Sequence, residues 1–323
     1  MFTNYIIMLG LGDVVGDVVD SIKGAGSEFI DNLMQKVYKS LYQGLYWCSE
    51  KLFNNMQSVL DTGISNSRNT LSQTPQQWNS VAFAFIKGAV ENAAIPIAGC
   101  IITFIFAWQV ISMVQESNQM HNIKPETMLI LMLKLGICLL VCSKSFDIVN
   151  GLFDLGLWAS KNIPDFGLGE SGIISFQDVL SAELEEYSFT VVMQMLVNLF
   201  LTLIALGLIY ALSVAIYIRV NMWYLELLVY ASAAPIPFAT FINKEWGQVG
   251  TNYLRKILAM AFEGFFMLVA FGLYSAFVTK VVNSSHAPDQ YLMSMITTCG
   301  CGIGLIMMLN KAGNISSSIF NAH

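Results

Sequence analysis

The chain has 323 residues, of which 55% are hydrophobic and only 12% are charged, and its mean hydropathy is +0.59. Because soluble domains carry about 25% charged residues, this composition excludes an ordinary water-soluble domain and predicts an all-α polytopic membrane protein. The net charge of −6 leaves no basic surplus with which to hold a nucleic acid.

Residues 1–80 are predicted to form an extracytoplasmic, amphipathic helical region. Apolar residues recur every four positions in two runs, a spacing typical of a helix with one apolar face. The first run is Phe29, Leu33, Val37, Leu41 and Leu45, and the second is Leu52, Met56 and Leu60. Residues 65–80 lack such a face and contain Pro75, so they are predicted to be a linker.

Residues 81–144 hold the first two predicted membrane spans. The stretch 93–114 is uncharged and long enough to cross the ~30 Å hydrocarbon core, and 128–141 is apolar except for Lys134. The polar residues 115–127 join these spans. The next segment, 145–186, carries eight acidic residues against one lysine and is predicted to be an acidic extracytoplasmic loop.

Residues 187–323 are predicted to form the membrane core. Its first part, 187–218, contains no Asp, Glu, Lys or Arg, and Arg219 closes it. At ~1.5 Å per residue in a helix, this stretch is longer than the hydrocarbon core. Further spans are predicted at 257–282 and 292–309, and a short cytoplasmic tail follows.

The segment 220–242 is apolar but contains Pro235 and Pro237, which disturb a helix. Arg219 and Lys244 lie at its two ends, and basic residues that flank spans stay preferentially in the cytoplasm. A re-entrant segment keeps both inside, whereas a full crossing places one of them outside. The sequence therefore favours five spans, with six as the alternative, an external N-terminus and a cytoplasmic C-terminus.

Ionisable residues at membrane depth are costly, which makes them candidates for a structural or pathway role. Lys134, Glu226 and Glu263 fall in apolar stretches. Glu226 follows Arg219 by seven residues and Glu263 follows Lys256 by seven, so each acid shares a helical face with a base. Two interpretations stay open: structural pairs, among them a contact of Lys134 with Glu263, and a water-lined pathway or subunit interface.

Catalysis is not indicated by the sequence. No HExxH, GxSxG or GxxxxGK[ST] motif occurs, and Cys299 and Cys301 have the wrong spacing for a zinc site. Together with Gly300, Gly302 and Gly304, these cysteines predict a small-residue face for close helix packing. No catalytic residue, cofactor or metal is therefore predicted.

The most distinctive pattern runs from Arg219 to Gly264. An apolar run leads to Ala234-Pro235-Ile236-Pro237, then to Lys244-Glu245-Trp246-Gly247, Gly250, Asn252-Tyr253-Leu254 and Glu263-Gly264. This pattern resembles the TrbL (VirB-six-like) inner-membrane proteins of type IV secretion and conjugation systems, in particular the forms carried on mobile elements of Gram-positive bacteria. The ending Ser318-Ile319-Phe320-Asn321-Ala322-His323 is similar to their short tail. The resemblance covers roughly residues 187–323 and, by layout alone, the first half.

The resemblance implies a non-enzymatic channel or scaffold subunit that supports translocation of DNA or protein across the cytoplasmic membrane. It implies a homo-oligomer among membrane lipids, beside other channel subunits and cytoplasmic ATPases, with transient contact to translocated DNA. The family's topology, with an external N-terminus and central loop and an internal C-terminus, agrees with the one derived from charge. The acidic loop repels phosphates, which favours a protein partner or a hydrated path there.

Two other functions fit the sequence less well. A small-solute transporter needs substrate-binding broken helices in each of two repeated halves, and only one proline-broken segment, 234–237, occurs. An intramembrane enzyme needs a nucleophile with a base, and no such pair is evident. The long amphipathic N-terminal region is more typical of an assembly protein.

The predicted topology can be tested with single-cysteine labelling from outside the cell. A probe at Ser171, in the acidic loop, is expected to react, and a probe at Gln248 is expected to stay protected. Residues 243–256 carry three basic residues against one acid, which favours the cytoplasmic side and places the Trp246 ring at the cytoplasmic interface. Labelling at Gln248 without labelling at Ser171 would show that the five-span topology is wrong.

Overall fold

The computed structural model describes residues 27–116, 125–164, 180, 184, 186–243, 245–284 and 291–322, and these residues contain helices but no strand. The helices in chain order are α1 (Ser27–Leu71), α2 (Pro75–Trp78), α3 (Ser80–Ala89), α4 (Ile95–Glu116), α5 (Pro125–Ser143), α6 (Ser145–Lys161), α7 (Phe189–Ser232), α8 (Pro235–Phe238), α9 (Gly247–Ser284) and α10 (Tyr291–Ile319). A π-helical turn, Val90–Ala94, joins α3 to α4, and a 3₁₀ turn, Ala239–Ile242, follows α8.

Four helical stretches in the described ranges are long and apolar enough to cross a membrane. They are Ser80–Gln115, Glu126–Ser143, Phe189–Ser232 and Gly247–Phe277. The predicted all-α, multi-spanning class is thereby confirmed, whereas five or six spans are not. The predicted last span, 292–309, lies within α10, several of whose side chains are outside the described part.

The chain forms two compact units. Unit 1 comprises Met1–Asp61, Leu168–Leu212 and Phe277–Gly302, and unit 2 comprises Thr62–Gly167, Ser213–Ala276 and Ile303–His323. In unit 1, the Tyr42 ring of α1 packs edge-on against the Tyr187 ring, with 5.6 Å between centroids. Gln35 Oε1 accepts a hydrogen bond from the Tyr187 backbone N–H at 3.1 Å, so α1 is fixed beside Tyr187, two residues before α7 begins.

The buried face of α1 differs in part from the predicted one. Its buried positions are spaced three or four residues apart and are Tyr42, Tyr46, Ser49, Phe53, Met56, Leu60, Ile64, Ser67 and Leu71. Only Met56 and Leu60 belong to the predicted runs, because steps of four alone drift around a helix of 3.6 residues per turn. A mixture of steps of three and four keeps the buried residues on one face over many turns.

The predicted linker, 65–80, is mostly helical. Helix α1 continues to Leu71, and Thr74 and Gln77 form a reciprocal capping box at the start of α2, where Pro75 occupies the first turn. The Trp78 ring stacks on the Tyr224 ring with 4.9 Å between centroids. The segment has the composition of a loop, but this packing within unit 2 holds it in a helical conformation.

The first apolar helical stretch begins earlier than predicted, at Ser80 rather than at residue 93. It contains the exposed ion pair of Lys87 and Glu91, whose Nζ and Oε1 atoms are 4.0 Å apart. Pro96 lacks an N–H and would collide with a carbonyl one turn earlier. The wider turn at Val90–Ala94, where the Ile95 N–H donates to the Val90 carbonyl, accommodates it.

Two further boundaries also differ from the sequence-based ones. The predicted acidic loop, 145–186, begins with helix α6 (Ser145–Lys161), and residues 165–179 lie outside the described residues. Helix α7 does not end at Arg219 but continues to Ser232. A single charged side chain does not interrupt backbone hydrogen bonding, whereas Pro235 lacks the donor that would continue the helix.

Gly156 of α6 offers a test of helix packing in unit 2. A Cβ at Gly156 would lie 2.1 Å from the Ala261 carbonyl oxygen of α9, so Gly156→Ala is expected to destabilise the protein by about 1–3 kcal/mol. A Cβ at Gly151 on the same helix would meet nothing within 4 Å, so Gly151→Ala is a matched control. Thermal unfolding in detergent, followed by circular dichroism, should separate the two variants. Equal melting temperatures would contradict the close contact.

Candidate functional site

Arg219 of α7 and Glu263 of α9 form a hydrogen-bonded ion pair inside unit 2. The arginine side chain is 20% exposed and the glutamate side chain is 7% exposed. A Cβ at Gly313 of α10 would lie 2.8 Å from Glu263 Oε1, so this glycine leaves the space that the carboxylate occupies. Three helices therefore enclose one charge pair.

Neighbouring hydrogen bonds hold the helices around this pair. The Trp223 Nε1–H donates to the Met260 carbonyl at 3.1 Å, and the Ser316 hydroxyl donates to the Ala259 carbonyl at 2.6 Å. A Cβ at Gly264 would lie 2.9 Å from the Trp223 ring, so the indole packs directly on the α9 backbone. These contacts fix α9 against both α7 and α10. They therefore hold Glu263 of α9 in position beside Arg219.

The observed pairing differs from the pairings expected within single helices. Glu263 meets Arg219 across two helices rather than Lys256 on its own helix, and Glu226 is exposed. The Lys256 ammonium lies 5.9 Å from the centroid of the Tyr230 ring. Lys134 is exposed on α5 and forms no ion pair with Glu263 or with any other acid among the described residues. Lys256 and Glu263, two turns apart, share a face of α9, but helix packing places Arg219 of α7 closer to the Glu263 carboxylate.

The chain leaves α7 at Ala233 and Ala234, directly before the two prolines. Proline removes the donor for the carbonyl four residues earlier, so the carbonyls of Ala231 and Ala233 lose their ordinary helical hydrogen bonds. Instead, the Ala231 carbonyl accepts from the Ala234 N–H at 3.3 Å, and the Ala233 carbonyl accepts from the Ile236 N–H at 3.1 Å. Tight turns thus replace the lost helical bonds.

Side chains from the neighbouring helices satisfy further carbonyls of the proline segment, which we define as residues 235–242. The Cys138 thiol donates to the Phe238 carbonyl with 3.4 Å between the sulfur and oxygen atoms, and the Cys142 thiol donates to the Pro235 carbonyl at 3.6 Å. Helix α8 and the 3₁₀ turn pack against α4 and α5. The irregular backbone is therefore buried against protein, as membrane-embedded chains require.

The end of the proline segment is bonded to the start of α9. The Thr240 hydroxyl donates to the Pro237 carbonyl at 2.7 Å and accepts from the Gly250 N–H at 3.2 Å. A Cβ at Gly250 would lie 2.8 Å from the same Pro237 carbonyl, which explains a glycine there. The Tyr253 hydroxyl donates to the Tyr230 carbonyl at 2.7 Å. Trp246 is exposed in the turn before α9.

The glycines predicted for helix packing do not behave alike. A Cβ at Gly302 would lie 2.7 Å from Leu212 Cδ1, so Gly302 packs against α7 within unit 1. Gly300 and Gly304 have open space around them. The close contact at Gly302 thus lies inside one subunit.

The site offers packing and charge rather than ligand chemistry. All six cysteines are free, and no group of three or more potential ligands among His, Cys, Asp and Glu occurs in the residues that the structure describes. His121, His286 and His323 lie outside those residues. Sequence analysis missed Cys138, Cys142, Thr240 and Gly313 as parts of the site, because their roles depend on which helix lies opposite.

A known protein family matches the chain. The family model described as TrbL/VirB6 plasmid conjugal transfer like protein matches residues 60–235, more than half of the chain. This range contains Arg219 and Pro235 but neither Trp246 nor Glu263, so it overlaps the region of resemblance in the sequence only over 187–235. Searches among curated proteins and among solved structures gave no match.

The ion pair can be tested by comparing one-sided and two-sided replacements. Glu263→Leu leaves the Arg219 charge without its partner and is expected to lower the free energy of unfolding by about 3–5 kcal/mol. The double variant Arg219→Met/Glu263→Leu should recover most of that loss. Glu226→Gln, at an exposed carboxylate on α7, is the control and should change stability by less than about 0.5 kcal/mol. Additive losses in the double variant would argue against direct pairing.

Proposed function

The chain belongs to the TrbL/VirB6 plasmid conjugal transfer like family, and from this premise we propose that it is a non-enzymatic channel or scaffold subunit of a conjugative type IV secretion machine. It is a multi-pass membrane component of conjugal transfer. In this proposal it lies in the cytoplasmic membrane, with its N-terminus outside, and supports the translocation of DNA or protein. The family match is the observation that carries the proposal.

The geometry of unit 2 supports a scaffold role. The proline segment packs against α4 and α5, two helices within candidate spans, and its carbonyls accept hydrogen bonds from two thiols of α5 and from its own Thr240 hydroxyl. Such a densely bonded break positions helices permanently, which suits a component that holds a channel together. We propose that this segment turns within the bilayer, so that α7 and α9 both reach the cytoplasmic side.

The partners follow from the same proposal. A channel subunit contacts further copies of itself, other secretion-channel subunits and the cytoplasmic ATPases that drive transfer. Contact with the translocated DNA would be transient, because the net charge of −6 and the acidic residues of 145–186 repel phosphates. We propose no catalytic residue, cofactor or metal for this role.

The experiment is a mating assay in a donor whose chromosomal or plasmid copy of the gene is deleted. Deletion is expected to abolish transfer, and the wild-type gene to restore it. Pro235→Ala/Pro237→Ala should restore transfer poorly, because a continued helix removes the segment from its place between α4 and α5. Pro125→Ala is the control, since proline in the first turn of α5 replaces no interior hydrogen bond.

Two outcomes would contradict the proposal. Normal transfer from the deletion donor would remove the protein from the machine. Normal transfer with the double proline variant, inserted at wild-type levels, would show that the proline segment has no part in the function.

A further inference from the structure

Helix α1 has a polar outer face where it passes α7 in unit 2. Within its last stretch, residues 62–71, the exposed side chains belong to four uncharged polar residues, which we call the polar face: Thr62, Ser65, Asn66 and Asn69. No large apolar side chain of this stretch is exposed. The only charged residue in it, Arg68, is partly buried.

Two contacts fix the level of the polar face along α7. A Cβ at Gly63 would collide with the Ser213 hydroxyl, so the two helices touch at this point. Further along, the Tyr224 hydroxyl donates to the Thr70 carbonyl at 2.8 Å. Helices α1 and α7 therefore run parallel here, and the polar face lies beside residues 213–224 of α7. All of these residues belong to unit 2.

At the same level, α7 has an apolar outer side. Within 213–224, the exposed residues of α7 all have large apolar side chains and are Val214, Tyr217, Ile218 and Met222. They fall in the candidate span Phe189–Ser232. At about 100° per residue, most of this exposed side is turned well away from Ser213 and Tyr224, which contact α1. We therefore assign this side of α7 to lipid.

The polar face cannot be assigned to lipid in the same way. Hydrocarbon offers no hydrogen bonds, so amides and hydroxyls that face it are costly. Yet this level is close to the membrane-embedded break, because Ser232 follows Tyr224 by eight residues, or about 12 Å, and leads into the proline segment. One level of unit 2 thus meets lipid on the α7 side and requires a polar environment on the α1 side.

We propose that the polar face lines a water-filled path at membrane depth, along which the transferred substrate passes. Its side chains favour water over a protein partner, because protein interfaces rely on aromatic and arginine anchors and are poor in serine and threonine. The polar face contains no such anchor. The inference deepens the proposed function, on which it rests, by naming the part of the chain that meets the substrate.

The chemistry of the polar face also fits a charged substrate. Basic side chains would retain the phosphates of DNA, and acidic side chains would repel them. The amides of Asn66 and Asn69 and the hydroxyls of Thr62 and Ser65 do neither, and they hydrogen-bond with water. An uncharged wall therefore lets a hydrated polyanion pass without a strong binding site.

The first test measures water access at matched positions in isolated donor membranes. Cysteine is introduced singly by Ser65→Cys or Asn69→Cys on the polar face, and by Ile218→Cys or Met222→Cys at about the same level of α7 as controls. A charged methanethiosulfonate reagent, which does not enter lipid, is added. Labelling of each introduced residue is quantified by peptide mass spectrometry, so that the native cysteines do not interfere.

The polar-face positions are expected to react about tenfold faster than the α7 positions, because the reactive thiolate forms in water and not in lipid. All four positions should react fully after denaturation. Protection of Ser65→Cys and Asn69→Cys in inserted protein would overturn the inference, because it would show that protein covers the polar face. Equal labelling of both helices would also overturn it, because the division between lipid and water would then be absent.

The second test asks whether the path carries the substrate. Donors with Asn66→Cys are treated with the same reagent before mating, and wild-type and Met222→Cys donors are treated alike. The attached cationic group retains phosphates, so transfer should fall about tenfold with Asn66→Cys alone. Undiminished transfer from donors labelled at this position would overturn the inference. Normal transfer from the gene-deletion donor, with the labelling contrast intact, would count against the proposed function alone.

Discussion

The structure depends on one constraint: polar backbone groups that lie among apolar helices must find partners inside the protein. Pro235 and Pro237 remove two backbone N–H donors. The carbonyls of Ala231 and Ala233 are instead paired in tight turns, with the N–H groups of Ala234 and Ile236. Thiols of α5 and the Thr240 hydroxyl satisfy carbonyls further along. The prolines thus determine where α7 ends. The surrounding residues stabilise this break because they pair its backbone carbonyls.

The Arg219–Glu263 pair applies the same constraint to charge. Desolvating two charges costs several kcal/mol per ion, so the pair is a weak source of stability even with good geometry. Its effect on alignment is stronger. A shift of one residue between α7 and α9 moves a side chain by about 1.5 Å and turns it by about 100°, which breaks the pair. Gly313 extends this alignment to α10, because a larger residue at that position would displace the Glu263 carboxylate.

The sequence predicts those features that depend on composition and on proline. The membrane class, the helical N-terminal region and the break at 234–237 follow from hydropathy, periodicity and the missing proline donors. The segment 65–80 is mostly helical and helix α7 continues past Arg219, because local composition does not decide either feature. Trp78 stacking on Tyr224 keeps the first segment ordered, and the backbone of α7 tolerates one arginine.

The sequence predicted which charged residues belong to the candidate site but not which of them form a pair. Arg219 and Glu263 are singled out by charge in an apolar stretch, yet their contact spans 44 positions in the chain. No periodic pattern in a single sequence reports which helices lie side by side. Cys138 and Thr240 were missed for the same reason, because a thiol or hydroxyl in an apolar helix becomes informative only when an unpaired carbonyl is known to face it.

Helix length links the packing to the proposed role. Helices α7 and α9 have 44 and 38 residues, which is about 66 and 57 Å at ~1.5 Å per residue, well beyond the ~30 Å of a hydrocarbon core. Lipid therefore explains only part of their apolar character. Packing inside unit 2 explains another part, because Val220 and Leu227 of α7 and Ile257 and Met267 of α9 are buried there. A transporter needs broken helices that move around a substrate. Long continuous helices such as α7 and α9 are rigid, which suits a scaffold.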